Sequence, residues 1–285
     1  MLKYITEFDP QFDVRPLSYS SLKAFQKSPQ HFIEYRMTKK EPTPALIFGN
    51  LLDVMILTPE EYERKYAIMP SDVKRPTSAQ VNAAKPSPAS IEQIKIYNEW
   101  CDENRGKTWI CQEDKDLADF LAKKTFDNEK AKDLLSRVTS TQQKMSWTHK
   151  ATGLPLIGYK DMNAPDFIGD LKSSADGSPE GFTKSAFQFG YHIQTGTYLD
   201  FEKTMFGKFP NYYFLVVETT APYNISVYKA TKEFIELGTQ QFNELMQAVK
   251  YCAENNLWFQ GYEFHSPTGY HQLDLPGWAK NKLTK

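Results

Sequence analysis

Asp170 and Lys172 stand two residues apart in Ile168-Gly169-Asp170-Leu171-Lys172-Ser173, a run that predicts a strand. Residues two apart on a strand leave the same face, so this carboxylate and ammonium project together while Leu171 points away. Asp161 ends the preceding strand-like run, and the turn Asn163-Ala164-Pro165-Asp166 is placed to fold it back beside Asp170. Two carboxylates so placed repel. A hard divalent cation such as Mg2+ relieves the repulsion, because it binds through one or two carboxylates plus water and phosphate oxygens. A neighbouring lysine then suits a phosphate-centred reaction, stabilising charge on the phosphate or orienting the attacking water. A surface hairpin with a routine cross-strand ion pair accounts for the same tripeptide, and from these residues alone both readings stand.

Three further features bear on the choice. Asp53 interrupts the apolar run Leu46-Ile47-Phe48-Gly49-Asn50-Leu51-Leu52-Asp53-Val54-Met55-Ile56-Leu57. A buried carboxylate needs a partner or a metal, whereas one on a helix edge meets water. Gln194 and Tyr198 are four apart in Tyr191-His192-Ile193-Gln194-Thr195-Gly196-Thr197-Tyr198, so an amide and a phenol share one helix face. They suit a catalytic pocket or a nucleic-acid backbone, or equally an ordinary polar face. His192 lies on a different face and makes a weak ligand alone. Residues 18–40 carry Lys23, Lys27, Arg36, Lys39 and Lys40 against Glu34, a net of +4. That charge fits a phosphate-facing patch, with a solvated helix face as the alternative.

The elements that must position these groups follow from pattern and punctuation. Residues 18–36 read as two short helices, opened by serines and broken at Pro29. The apolar run 45–57 is too long for a typical strand and reads as a buried helix. Thr58-Pro59 starts another, with Thr58 as cap. Residues 71–92, with Pro76, Pro86 and Pro88, read as a long flexible loop. Helices are expected over 91–104 and 113–136, with a short strand at 108–111 between them. Three strands follow at 138–148, 154–162 and 166–173. A helix over 179–206 breaks near Gly190, strands follow at 211–219 and 223–229, and a long amphipathic helix spans 231–254. A last short helix is expected near 276–282. The pattern is that of one α/β domain over 1–285 with a mixed central sheet. It has a helical part to about 136, a sheet core over about 137–230, and a C-terminal helix and tail.

The chain has 285 residues, 34 Lys plus Arg against 35 Asp plus Glu, and a net charge of −1. That balance excludes a binder driven by overall positive charge, but not an enzyme that concentrates basic residues in one groove. Hydrophobic residues make up 40% of the chain, enough for a packed core. No apolar run reaches membrane-spanning length, and the first residues lack the basic-then-apolar pattern of a secretory signal. Cys101, Cys111 and Cys252 are scattered, which argues against a disulfide framework or a cysteine-ligated metal or iron–sulfur site. A cytoplasmic setting is expected.

Taken in order, the segments resemble the phage-type exonucleases of the PD-(D/E)XK superfamily, specifically the RecE (exodeoxyribonuclease VIII) group, related to lambda exonuclease. The resemblance runs through LSYSSLKAFQKSPQHFIEYR, FGNLLDVMILTPEEYERKY, WTHKATGLPLIGYKDM, IGDLKSSAD, YHIQTGTY and LPGWAK. It implies a restriction-endonuclease-like core with a mixed central β-sheet flanked by helices. It also implies a 5′-to-3′ exonuclease on double-stranded DNA, dependent on Mg2+ with Mn2+ as a substitute. Such enzymes leave 3′ single strands for an annealing protein and form rings of three or four chains. Asp161 and Asp170 match the metal-binding acids, Lys172 the catalytic lysine, and Gln194 and Tyr198 the helix motif after the core strands. Asp53 stands where the family usually has a metal-site His; as an oxygen ligand it keeps that place. Gln142-Gln143 stands where many members carry a Glu, and a neutral amide weakens a metal role there.

Overall fold

The computed structural model describes residues 15–38, 41–266 and 268–275. Lys39, Lys40 and the helix expected near 276–282 lie outside the described residues. The first two helices are α1 (Tyr19–Lys27) and α2 (Pro29–Met37). Ser18 caps α1, accepting from the Ser21 N–H while the Ser21 hydroxyl accepts from the Ser18 N–H. Ser28 caps α2, with Pro29 at the first position, where a missing N–H costs nothing. The apolar run forms α3 (Pro44–Leu57), buried along Leu51, Leu52, Val54, Ile56 and Leu57.

Several expectations change in the next stretch. Thr58 makes no side-chain cap bond; a 3-10 turn (Pro59–Glu61) and a single turn α4 (Tyr62–Lys65) follow instead. Residues 71–92 are not one long loop. Thr77 and Gln80 form a capping box at α5 (Ser78–Val81), and Ser87 with Pro88 opens α6 (Pro88–Glu103). A strand not read from the sequence, β1 (Tyr66–Ile68), pairs in parallel with β2 (Thr108–Ile110). The expected helix 113–136 is two, α7 (Gln112–Asp127) and α8 (Glu129–Ser136). They divide at Asn128, whose side chain accepts from the Ala131 N–H.

The central sheet has the order β3 (Ser140–Thr148), β4 (Pro155–Asn163), β5 (Phe167–Ser174), β6 (Asn211–Glu218), β7 (Ile225–Lys229). Its β5–β6 pair is parallel and the others are antiparallel, so the sheet is mixed, as expected. The β5-to-β6 crossover carries α9 (Pro179–Phe189) and α10 (Tyr191–Phe206), and α11 (Lys232–Glu254) follows β7. Helices cover both faces. On β6, Phe214 and Val216 join the cluster of α1, α2, α10 and α11, while Leu215 and Val217 join that of α3, α7 and α8. Gly196 and Gly238 set α10 against α11 at backbone contact: a Cβ on Gly238 would lie 1.8 Å from the His192 carbonyl oxygen. No helix among the described residues is long and apolar enough to cross a membrane.

Candidate active site

The β4–β5 ladder is short. Met162 pairs with Gly169 and Asn163 with Ile168, and pairing stops at the next position, which is Asp161 opposite Asp170. Beyond it the Leu171 N–H donates to Asp161 Oδ2 at 3.0 Å, so a side chain takes the place of a ladder bond. The turn after Met162 thus returns Asp161 beside Asp170, and the gap between the strands lets groups from both sheet faces meet.

Asp170 and Lys172 share the face toward α10. Asp170 is buried, with Oδ2 in an ion pair with Lys172; Oδ1 accepts from Gln194 Nε2 at 3.3 Å. The same amide reaches the Tyr198 hydroxyl at 3.3 Å, so the expected helix-face pair is turned into the site. The Lys172 ammonium lies 4.7 Å from the centre of the Tyr191 ring. Burial alone would lower its pKa, but the Asp170 and Asp161 carboxylates outweigh burial and hold it above the usual lysine range.

Asp53 arrives from α3, on the other sheet face. Gly49 lets that helix close on β5, since a Cβ there would sit 3.1 Å from the Ser173 hydroxyl. Burial, with the nearby Asp170 carboxylate, raises the Asp53 carboxyl to about 7 against the pull of Lys172 and Lys65. Burial, then Asp170 and Asp53, holds the Asp161 carboxyl well above the carboxylate range. Gln142 completes this side. It donates from Nε2 to Asp161 Oδ1 at 3.1 Å, and its φ of +50° is a left-handed conformation rare in a non-glycine residue. Thr141 and Gln143 on either side keep regular pairing, so the strain is confined to the residue that touches Asp161.

A cleft of about 340 Å³ opens here, lined by Asn50, Asp53, Lys65, Tyr66, Thr108 and Gln142 among others. Among the described residues no three His, Cys, Asp or Glu side chains close into a metal cage. The donor set still fits a hard cation: the Asp161 and Asp170 carboxylates converge where the strands part, and Asp170 and Asp53 both raise the pKa of the Asp161 carboxyl. A cation held by Asp161 and Asp170, with water and phosphate oxygens, needs no third protein ligand.

The basic residues divide. Lys23 on α1 stands close enough to Lys172 for the two charges to act on each other, so this part of the patch borders the acids. Lys27 is exposed one turn further on. Arg36 turns to the carbonyls of Arg15 (2.7 Å) and Pro16 (3.2 Å) and ties the segment before α1 to α2. His192 faces away, bonded through Nε2 to Gln241 on α11. Sequence reading missed Tyr19, Tyr191 and Lys65, whose nearness comes from packing and follows no spacing rule. It also missed the buried Lys160–Glu202 pair (2.7 Å) that joins β4 to α10.

Residues 18–261 match a family model described as a PDDEXK-like domain of unknown function (DUF3799). A solved structure from Eubacterium rectale, of a protein provisionally named an exonuclease, is similar over 94% of this chain and 93% of that one. Its TM-score is 0.57 and its identity 14%, a likeness of fold. No curated protein matches the chain in sequence.

Proposed function

The chain belongs to the PDDEXK-like family DUF3799, and on that premise we propose that it is a metal-dependent exonuclease of double-stranded DNA. The carrying observation is the meeting of Asp161, Asp170 and Lys172 where β4 and β5 part.

In this reading Asp161 and Asp170 hold the cation and Asp53 assists. When bound, the cation supplies Lewis-acid polarisation of the phosphate and acidifies a water. The chain's own residues do the rest. Lys172, kept protonated by its two carboxylate neighbours, balances charge growing on the phosphate oxygens. Gln194 fixes the orientation of Asp170, and the Leu171 N–H with Gln142 fixes Asp161. Lys23 and Lys27 meet the phosphate backbone.

The finer assignments rest on the resemblance to the RecE group. Digestion runs 5′ to 3′, uses Mg2+ with Mn2+ able to replace it, and leaves 3′ single strands for an annealing protein in recombination. The chains assemble as a ring of three or four. Duplexes labelled at either end, followed over time with Mg2+, Mn2+ or EDTA, test polarity and metal. Light scattering tests assembly, and a monomer at every concentration removes the ring. With Asp170→Ala or Lys172→Ala, nucleotide release should fall at least about 100-fold. Variants as active as wild type would show that this is not the active site.

One observation favours a second reading, a weakened nuclease fold that binds DNA ends or a partner protein without cutting. Gln142 brings a neutral amide, not a carboxylate, to Asp161. Salt-sensitive DNA binding without hydrolysis in any divalent metal would favour it.

A further inference from the structure

At the far edge of the sheet, β7 leaves backbone groups open. The Ala230 N–H donates to the Tyr212 carbonyl and the Glu218 N–H to the Asn224 carbonyl, both at 2.9 Å. Bonded and non-bonded pairs alternate along an antiparallel ladder, so Ile225, Val227 and Lys229 turn their N–H and C=O groups away from β6. The Ile225 carbonyl accepts from the Asn128 amide at 3.4 Å. Among the described residues nothing bonds the outward groups of Val227 and Lys229. A groove flanks this edge on each sheet face. On the face of α9 and α11, about 440 Å³ is lined by Phe182, Phe187, Phe214, Tyr228, Phe234 and Leu237 among others. Its floor is fixed: the Tyr228 hydroxyl donates to the Gly177 carbonyl at 2.6 Å, and Phe182 stacks on the Tyr228 ring at 5.0 Å. Phe187 and Leu237 stand 46% and 37% exposed along it. On the face of α8, about 380 Å³ is lined by Lys130, Leu134, Arg137, Tyr213 and Val227 among others. Asp133 also lines it but is turned to Arg137 at 3.9 Å, while Lys130 is exposed. Lys229 joins this face, its ammonium 6.0 Å from the centre of the Tyr213 ring.

Open main-chain groups take extended backbone, and an added strand sends alternate side chains to opposite faces. Here those faces differ, one apolar and the other cationic. We propose that β7 docks an extended segment of a partner protein, antiparallel to it, in which a large apolar side chain stands between two carboxylates. The N–H and C=O groups of Val227 and Lys229 bond the segment's backbone. The residue opposite Tyr228 fills the aromatic groove, from which Glu233 on its lining keeps an acid out. The acids opposite Val227 and Lys229 meet Lys130 and Lys229. A short strand that carries a lysine also blunts an edge against self-pairing. Blunting alone does not call for a groove on each face. Two copies joined edge to edge would bring both Lys229 side chains to one face, where like charges repel, so charge favours an acidic partner over a second copy. The edge lies two strands from Asp170, and the proposal does not depend on the nuclease reading.

The test uses the full chain and fluorescein-labelled, threonine-rich peptides of about seven residues, with Asp-Phe-Asp at the centre. By fluorescence anisotropy, wild type should bind this peptide at least about tenfold more tightly than its Asp-Ala-Asp and Lys-Phe-Lys counterparts. N-methylation of the two aspartates, whose N–H groups would face β7, should abolish binding. N-methylation of the phenylalanine, whose N–H would face water, should not. The double variant Lys130→Glu, Lys229→Glu should prefer Lys-Phe-Lys to Asp-Phe-Asp. Val227→Pro, which removes an outward N–H and no bond to β6, should lose binding. No binding by wild type at millimolar peptide, equal binding of the three peptides, or a double variant that keeps the wild-type order overturns the proposal. Self-association of wild type that Val227→Pro abolishes also overturns it, because a second copy then holds the edge. If Val227→Pro lowers the unfolding midpoint, the N-methylated peptides decide the matter. Each of these outcomes leaves the nuclease reading standing.

Discussion

The acids of the site pull against folding. In the unfolded chain the Asp53 carboxyl loses its proton near its ordinary value of 3.8, whereas in the folded chain it holds the proton to about 7. Between those values the folded state binds the extra proton, so rising pH favours unfolding. The stability present below about pH 4 is therefore lost progressively as pH approaches 7. Asp161, raised by burial and by its acidic neighbours, acts in the same direction. Urea unfolding of the metal-free protein should show stability falling by a few kcal/mol between pH 4 and 7. Asp53→Asn should flatten that fall and be more stable than wild type at pH 8; an unchanged slope would refute this account of Asp53. Saturating Mg2+ should stabilise wild type at pH 8 and have little effect at pH 4, where the ligands carry protons. The three aspartates and Lys172 were legible as candidates because their types and spacing carry chemistry. Tyr191 and Tyr19 were not, because an aromatic residue at a helix start has no spacing that marks it.

At the scale of elements, the site depends on how α10 is held. Lys160 and Glu202 form a buried pair between β4 and α10, with Lys160 also donating to Asn163 Oδ1 at 2.7 Å. Lys160→Ala leaves the Glu202 charge buried and unpaired, at a cost of about 3–5 kcal/mol. The double variant Lys160→Met, Glu202→Leu should recover most of that in urea unfolding. On the other side of α10, Gly238→Ala forces a methyl into the His192 carbonyl and should cost about 1–3 kcal/mol. It should also reduce nuclease activity, because Gln194 and Tyr198 ride on the displaced helix. Strong periodicity and clear breakers made most elements legible, down to the α9–α10 break at Gly190. The division of α7 from α8 was missed because Asn128 lies inside a continuous helical pattern, although Asn is a good cap. The capping box at Thr77 and the Ser87-Pro88 start were present in the sequence but outweighed by three prolines.

At the scale of the whole molecule, a net charge of −1 coexists with acids gathered at the β4–β5 gap and lysines along α1. DNA binding should therefore weaken steeply with salt, and the double variant Lys23→Ala, Lys27→Ala should reduce the log–log slope by about 2. A slope equal to that of wild type would remove α1 from the DNA track. The fold class, the mixed sheet and the shared face of Asp170 and Lys172 are local matters of period and turn, so they were readable along the chain. The turn that returns Asp161 to Asp170 was readable for the same reason. Other relations join residues far apart in sequence. Asp53 meets the acids from the opposite sheet face, Gln142 adopts a left-handed backbone to reach Asp161, and the Tyr19 hydroxyl donates to the Phe189 carbonyl, holding α1 where Lys23 stands near Lys172. Arg36 is likewise directed to Arg15 and Pro16 and not to the acids. These depend on where the sheet ladder ends and how closely glycines let helices approach, and no period or motif encodes either.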